Sequence, residues 1–254
     1  MRQVIYETKG RAREFNELAI NLFTGCEHGC IYCYGADVLH KSKEEYSQVL
    51  PRITVYDILK SAKEWADKGE TRRILLCFVT DPYTPSEEKT MITRKTIMAL
   101  HEVGLNVIIL TKGGERSIRD FDLLTDKDAY ATTLTCLDET ESRKWEPNAA
   151  LPYERIKALR EAHNRGIETW VSFEPVINPL ETIALLTMTH PFVGHYKVGT
   201  MNYHHHGKTI DWRNFGLQIK EIMDNLGVKY YFKKDLLKHM GHTPETFNQT
   251  WVCR

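Results

Sequence analysis

The chain lacks the features that mark a membrane protein, a secreted scaffold or a polyelectrolyte. Its 254 residues hold no apolar run of 18 or more, which excludes an ordinary spanning helix. Lys plus Arg and Asp plus Glu number 34 each. No global field of one sign is therefore available for non-specific binding to nucleic acid or membrane, though local patches stay open. The N-terminus, Met1-Arg2-Gln3-Val4-Ile5-Tyr6, has no apolar core of a secretory leader. Cysteines number only six, and in an unsecreted chain they read as metal ligands or thiols, not as disulfides. There is no second Cys-x2-Cys pair, no repeat and no linker. One cytoplasmic domain spanning 1–254 is expected, with a core at about 18–200 and an extension at about 201–254.

What is present is concentrated in Thr24-Gly25-Cys26-Glu27-His28-Gly29-Cys30-Ile31-Tyr32-Cys33-Tyr34, three cysteines at C-x3-C-x2-C spacing. Gly25 and Gly29 allow a tight loop, since glycine accepts positive φ. Three thiolates on one loop can grip three irons of a [4Fe–4S] cube and leave the fourth open to a chelating small molecule. The alternative is a zinc-stabilised nucleic-acid-binding protein using Cys26, Cys30, Cys33 and His28, because structural zinc needs four ligands.

Downstream, near-unbroken apolar runs alternate with helical stripes. Strands are expected at 18–23, 74–79, 106–110, 130–135, 169–173, 196–199 and 228–232. Helices are expected at 53–67, 86–103, 117–125, 152–165, 179–188 and 212–226. Residues 1–16 read as a lead-in packed beside the core, and 35–50 as a polar spacer. Such alternation implies parallel βα units, as an open doubly wound sheet or as a barrel. In a barrel the active site lies at the C-terminal ends of the strands. The side chains gathered there include Cys77, Thr80, Asp81, Lys112, Thr133, Thr135, Glu174, Lys197, Asn202 and His204.

The cysteine spacing after the first strand resembles the radical S-adenosylmethionine (SAM) superfamily. Thr80-Asp81-Pro82-Tyr83, Thr111-Lys112, Ile118-Arg119-Asp120, Trp145-Glu146-Pro147-Asn148 and Tyr231-Phe232-Lys233-Lys234-Asp235-Leu236 extend the resemblance to the DNA-repair photolyase branch, which contains spore photoproduct lyase. It covers roughly residues 18–238. It implies an α/β fold, a partial (βα)6 TIM-type barrel, with Cys26, Cys30 and Cys33 holding a [4Fe–4S] cluster. It further implies SAM on the open iron, cleaved to a 5′-deoxyadenosyl radical that abstracts hydrogen from substrate. Implied partners are a flavodoxin- or ferredoxin-type reductant and a substrate that is a nucleic-acid lesion or nucleotide. Radical modification of a small molecule or peptide is the other enzymatic option.

On this resemblance Lys112 holds the SAM carboxylate, unless it is a solvated loop lysine. Tyr32 lies beside the adenine or merely packs. Thr133 and Thr135 share one face of a strand and either bond SAM or serve β-propensity. Thr80 and Asp81 replace the glycine-rich turn common in the superfamily, and Asp81 alternatively caps the next turn. Glu174 bonds SAM or substrate, or is a paired carboxylate at the barrel mouth. Cys77 either returns hydrogen to a product radical or is an inert core thiol; a one-residue slip of register decides which face it takes. Cys136 and Cys253 read as structural. Lys229, Lys233, Lys234 and Lys238 either touch phosphates or face water.

Overall fold

The computed structural model describes residues 4–250; Cys253 lies outside them. Eight strands form one sheet in strict sequence order: β1 (Ile5–Glu7), β2 (Leu18–Ile20), β3 (Ile74–Leu76), β4 (Val107–Thr111), β5 (Ala129–Thr133), β6 (Glu168–Phe173), β7 (His195–Val198) and β8 (Lys229–Phe232). Only β1 runs antiparallel, to β2; every later pair is parallel. Helices α1 (Gly35–Val38), α2 (Lys43–Ser47), α3 (Val55–Ala66), α4 (Glu87–Thr90), α5 (Ile92–Glu102), α6 (Glu139–Trp145), α7 (Pro152–Asn164), α8 (Pro179–Thr189), α9 (Trp212–Asn225) and α10 (Lys234–Met240) complete the chain. The sheet curls into a barrel that β1 and β8 do not close by pairing.

Strand alternation sorts the apolar residues into two cores. The larger holds side chains such as Ile20, Leu76, Ile109 and Val171, packed under the helices. The smaller lines the barrel interior with Ala19, Leu75, Ile108, Ala131 and Trp170. Both faces of the central strands are thus covered, which is why those strands read as continuous apolar runs.

Several expected boundaries shift for local reasons. The 86–103 helix is two helices, because Met91 adopts a left-handed conformation at φ 52° between α4 and α5. The expected strand at 74–79 stops at Leu76, where Cys77 takes φ 62°. A 3₁₀ turn, Gly114–Asp120, stands where a helix at 117–125 is expected. The polar spacer carries α2, whose N-cap Ser42 and Glu45 form a capping box. The lead-in contributes β1 and then crosses the open seam. Lys197 donates to the carbonyls of Glu14 and Phe15, and the Glu14 carboxylate accepts from Tyr231 Oη and the Lys234 amide. These bonds join the two edges that no strand pairing joins.

Candidate active site

The cluster loop is fixed from three sides. The Cys26 amide donates to Tyr46 O at 2.9 Å, and the Ile31 amide to Trp145 O at 3.0 Å. The Asn148 amide donates to His28 O at 3.0 Å, and the Asn148 side chain to Glu27 O at 2.9 Å. Glu27 in turn accepts from the Ser86 amide at 2.7 Å. Gly29 sits at φ 67°, as a tight loop requires. Gly25 is small for another reason: a Cβ there would lie 1.9 Å from Tyr46 O.

Cys26, Cys30 and Cys33 all line one cavity of about 410 Å³ at the C-terminal mouth of the barrel. Burial pushes the Cys26 thiol up and Cys30 to about 12, with Lys112 opposing the rise at Cys30. Three soft thiols on one cavity suit irons that each take one sulfur. Among the described residues, no three His, Cys, Asp or Glu side chains converge on a single-ion position. His28 is spoken for: Nδ1 faces Asp81 Oδ2 at 3.5 Å, and Nε2 lies 3.1 Å from Arg116 Nη2. Burial lowers its pKa to about 4, so the ring is neutral and accepts at Nε2 from Arg116, which leaves the Nδ1 proton facing Asp81.

Asp81 is an anchor for this end of the barrel. Oδ1 accepts from the Tyr83 amide at 2.8 Å and from Thr111 Oγ1 at 2.5 Å; Oδ2 accepts from the Lys112 amide at 2.7 Å. Burial alone would raise this carboxyl, but the facing imidazole and these donors hold it below the usual range. Because His28 is neutral, we assign that lowering chiefly to hydrogen bonds.

Lys112 and Tyr32 meet on the cavity wall, with Nζ 5.8 Å from the ring centroid. Burial disfavours the charge of Lys112, yet Cys30, Glu146 and Asp81 hold its pKa above the usual lysine value. Thr80 and Thr133 also line the cavity, whereas Thr135 is buried off it. Cys77 lies on the wall, yet its thiol packs with the outer core and accepts from the Leu22 amide. Its left-handed backbone reverses the alternation, so Phe78 joins the barrel interior. Glu174 lines the cavity as a paired carboxylate, its partner Lys233. Lys233 is therefore buried and does not face water. His204 is not on the cavity wall; its ring packs 5.1 Å from Trp145.

Tyr46 and Arg155 escaped the sequence reading, and Glu146 appears there only within the Trp145–Asn148 motif, with no role. Tyr46 underlies the loop. Glu146 and Arg155 form a buried ion pair at 2.5 Å beside Tyr32. A cue existed for Arg155, which occupies the apolar stripe of α7 with Pro152, Ala158, Leu159 and Ala162.

The cavity has a second half along the seam. Phe15, Tyr34, Phe78 and Tyr203 form an aromatic wall, with centroids 5.6 Å apart for Phe15–Phe78 and 5.5 Å for Tyr34–Tyr203. Arg11 donates to Tyr203 Oη at 2.7 Å and pairs with Asp235 at 3.1 Å.

No curated protein sequence matches the chain significantly. Among solved structures, spore photoproduct lyase complexed with dinucleoside spore photoproduct is 15% identical, with a TM-score of 0.68 over 89% of this chain and 79% of that one. A mutant of that lyase, with bound AdoMet and dinucleoside spore photoproduct, is 16% identical at TM-score 0.64 and covers 80% of this chain. The present chain spans 62% of that mutant's length. Streptococcus suis SuiB bound to S-adenosylmethionine is 14% identical at TM-score 0.64, over 91% of this chain and about half (49%) of SuiB. These likenesses show the fold, a partial TIM barrel. Residues 20–187, well over half of the sequence, match the profile described as Radical SAM superfamily. The chain belongs to the radical SAM superfamily, whose enzymes use a [4Fe–4S] cluster and S-adenosylmethionine.

Proposed function

We propose that this enzyme abstracts hydrogen from a substrate carrying a planar heteroaromatic ring, of the nucleobase or nucleotide class. Cys26, Cys30 and Cys33 would hold the [4Fe–4S] cluster. Lys112, Tyr32 and Thr133 would receive SAM beside it, Lys112 supplying a cation for the carboxylate. Bound together, cluster and SAM supply a hydrogen-abstracting carbon radical.

The observation that carries the substrate assignment is the aromatic wall that lines the same cavity as the thiols. Stacking on such rings is worth about 1–3 kcal/mol per base and tolerates any base. Phe15 and Tyr203 lie outside the family match at 20–187, while Tyr34 and Phe78 lie within it. Spore photoproduct lyase, which shares the fold, is seen with a dinucleoside bound. Cys77 is the proposed hydrogen source for the product radical. It stands on the cavity wall, and its thiol must turn out of the outer core to reach substrate; burial pushes that thiol to about 12, so the S–H that must be given up is intact at neutral pH.

Enzymes of this family need a one-electron reductant, here proposed as a flavodoxin or ferredoxin in the cytoplasm. Among the described residues no helix is long and apolar enough to cross a membrane. Anaerobic reconstitution should give about four irons and four sulfides per chain. With dithionite and SAM the protein should then release 5′-deoxyadenosine, and a thymidine dinucleotide should quench its aromatic fluorescence. Stoichiometric zinc without iron would refute the enzyme reading. Cluster formation without dinucleotide binding would refute only the substrate class.

A further inference from the structure

We infer that Glu146 and Arg155 are positioning residues that lock Tyr32, Thr133 and Lys112 into one frame for SAM. The inference rests on the radical SAM reading of the site.

The three SAM-facing residues come from three separate places: the cluster loop, the end of β5 and the loop after β4. A single buried network connects them. Tyr32 Oη donates to Glu146 Oε1. Arg155 Nη2 donates to Glu146 Oε2 at 2.5 Å, Nη1 to Thr133 O at 2.9 Å, and Nε to Ala150 O at 2.8 Å. The Ala150 amide donates to Lys112 O at 3.0 Å. Glu146 and Arg155 are each 1% exposed, so both charges are fully out of water. The same segment reaches the cluster loop a second time, through Trp145 O and Asn148.

Energetics points to placement over stability. A buried ion pair recovers its desolvation cost only in good geometry, and apolar residues of equal volume often stabilise as well or better. What apolar residues cannot do is direct three hydrogen bonds at fixed angles. The planar guanidinium here does so at two carbonyls and a carboxylate, and the carboxylate passes the constraint to the Tyr32 hydroxyl. Fixing a ligand-binding group to within about 0.5 Å requires supporting bonds of this kind.

The test uses anaerobically reconstituted protein and reads SAM affinity by calorimetry, with iron content and the melting temperature of the iron-free protein alongside. Tyr32→Phe keeps the ring and removes only the link; it should weaken SAM binding about three- to tenfold. Glu146→Gln should weaken it about tenfold or more. The double variant should be no worse than Glu146→Gln, because both changes cut one chain. If Glu146→Gln fails to fold, Tyr32→Phe decides alone. Variants that melt earlier but bind SAM within twofold of wild type would overturn the inference and leave a purely structural pair. Fully additive losses would overturn it too. A wild-type protein that assembles its cluster but binds no SAM would overturn the family reading of the site and this inference with it.

Discussion

Replacing Asp81 by Asn should loosen the cavity at its most connected point. The carboxylate accepts from two amides and a hydroxyl, faces an imidazole at 3.5 Å, and is 7% exposed. Asparagine keeps the shape but turns one oxygen into an NH2 group. In either flip, that group faces a donor: Thr111 and the Tyr83 amide on one side, the Lys112 amide and His28 on the other. At least one charge-assisted bond is lost, worth about 1.5–3 kcal/mol, and a buried donor is stranded at about 1–3 kcal/mol. The sum, about 2.5–6 kcal/mol, brackets the usual cost of about 3–5 kcal/mol for breaking a buried charged contact, and we take the latter. For a chain of 254 residues, each kcal/mol moves the melting temperature by about 2–4 °C. Calorimetry on iron-free protein should show a fall of about 6–20 °C. The cluster loop hangs on this node through His28, so iron retention should fall with it. A fall under about 3 °C would refute the reasoning, because it would mean the donors find other partners.

Lys112→Ala should weaken SAM binding by about 1–3 kcal/mol, the scale of one charge-assisted hydrogen bond; unchanged affinity by calorimetry would make it a bystander. Cys77→Ala should cost about 1 kcal/mol of stability and divert the substrate radical to side products; an unaltered product spectrum by mass spectrometry would leave Cys77 a packing residue. His195, stacked on Trp170 at 5.6 Å, is pushed down to about 3 by burial, then by Lys197, Lys229 and Arg73. It is neutral when folded, while the unfolded imidazole takes a proton below about pH 6.5. Stability is therefore complete above that pH and drains away as pH falls from about 6.5 towards 3, by about 2 kcal/mol at pH 5. Denaturant titrations of His195→Phe should show a flatter acid limb; an unchanged slope would refute the assignment.

Local chemistry made part of this protein legible from its residues alone. The thiol spacing is a property of eight consecutive residues, Cys26 to Cys33, so no tertiary information was needed to see it. The runs at 74–79 and 106–110 announced strands covered on both faces, because burial on both sides removes the polar alternation, and the strands formed at 74–76 and 107–111. Lys112 was legible as a strand-end group once β4 was placed. By contrast, β1 is three residues long and exists only because β2 offers an edge. The break at Met91 and the turn at Cys77 are left-handed conformations of non-glycine residues, which propensity argues against and surrounding contacts impose. The Glu174–Lys233 pair spans 59 residues and Tyr32–Glu146 spans 114, so their partners depend on strand order. Covalent spacing fixes what one loop can bind, while the curl of the sheet decides which distant charges must neutralise one another, since a buried charge cannot remain unpaired.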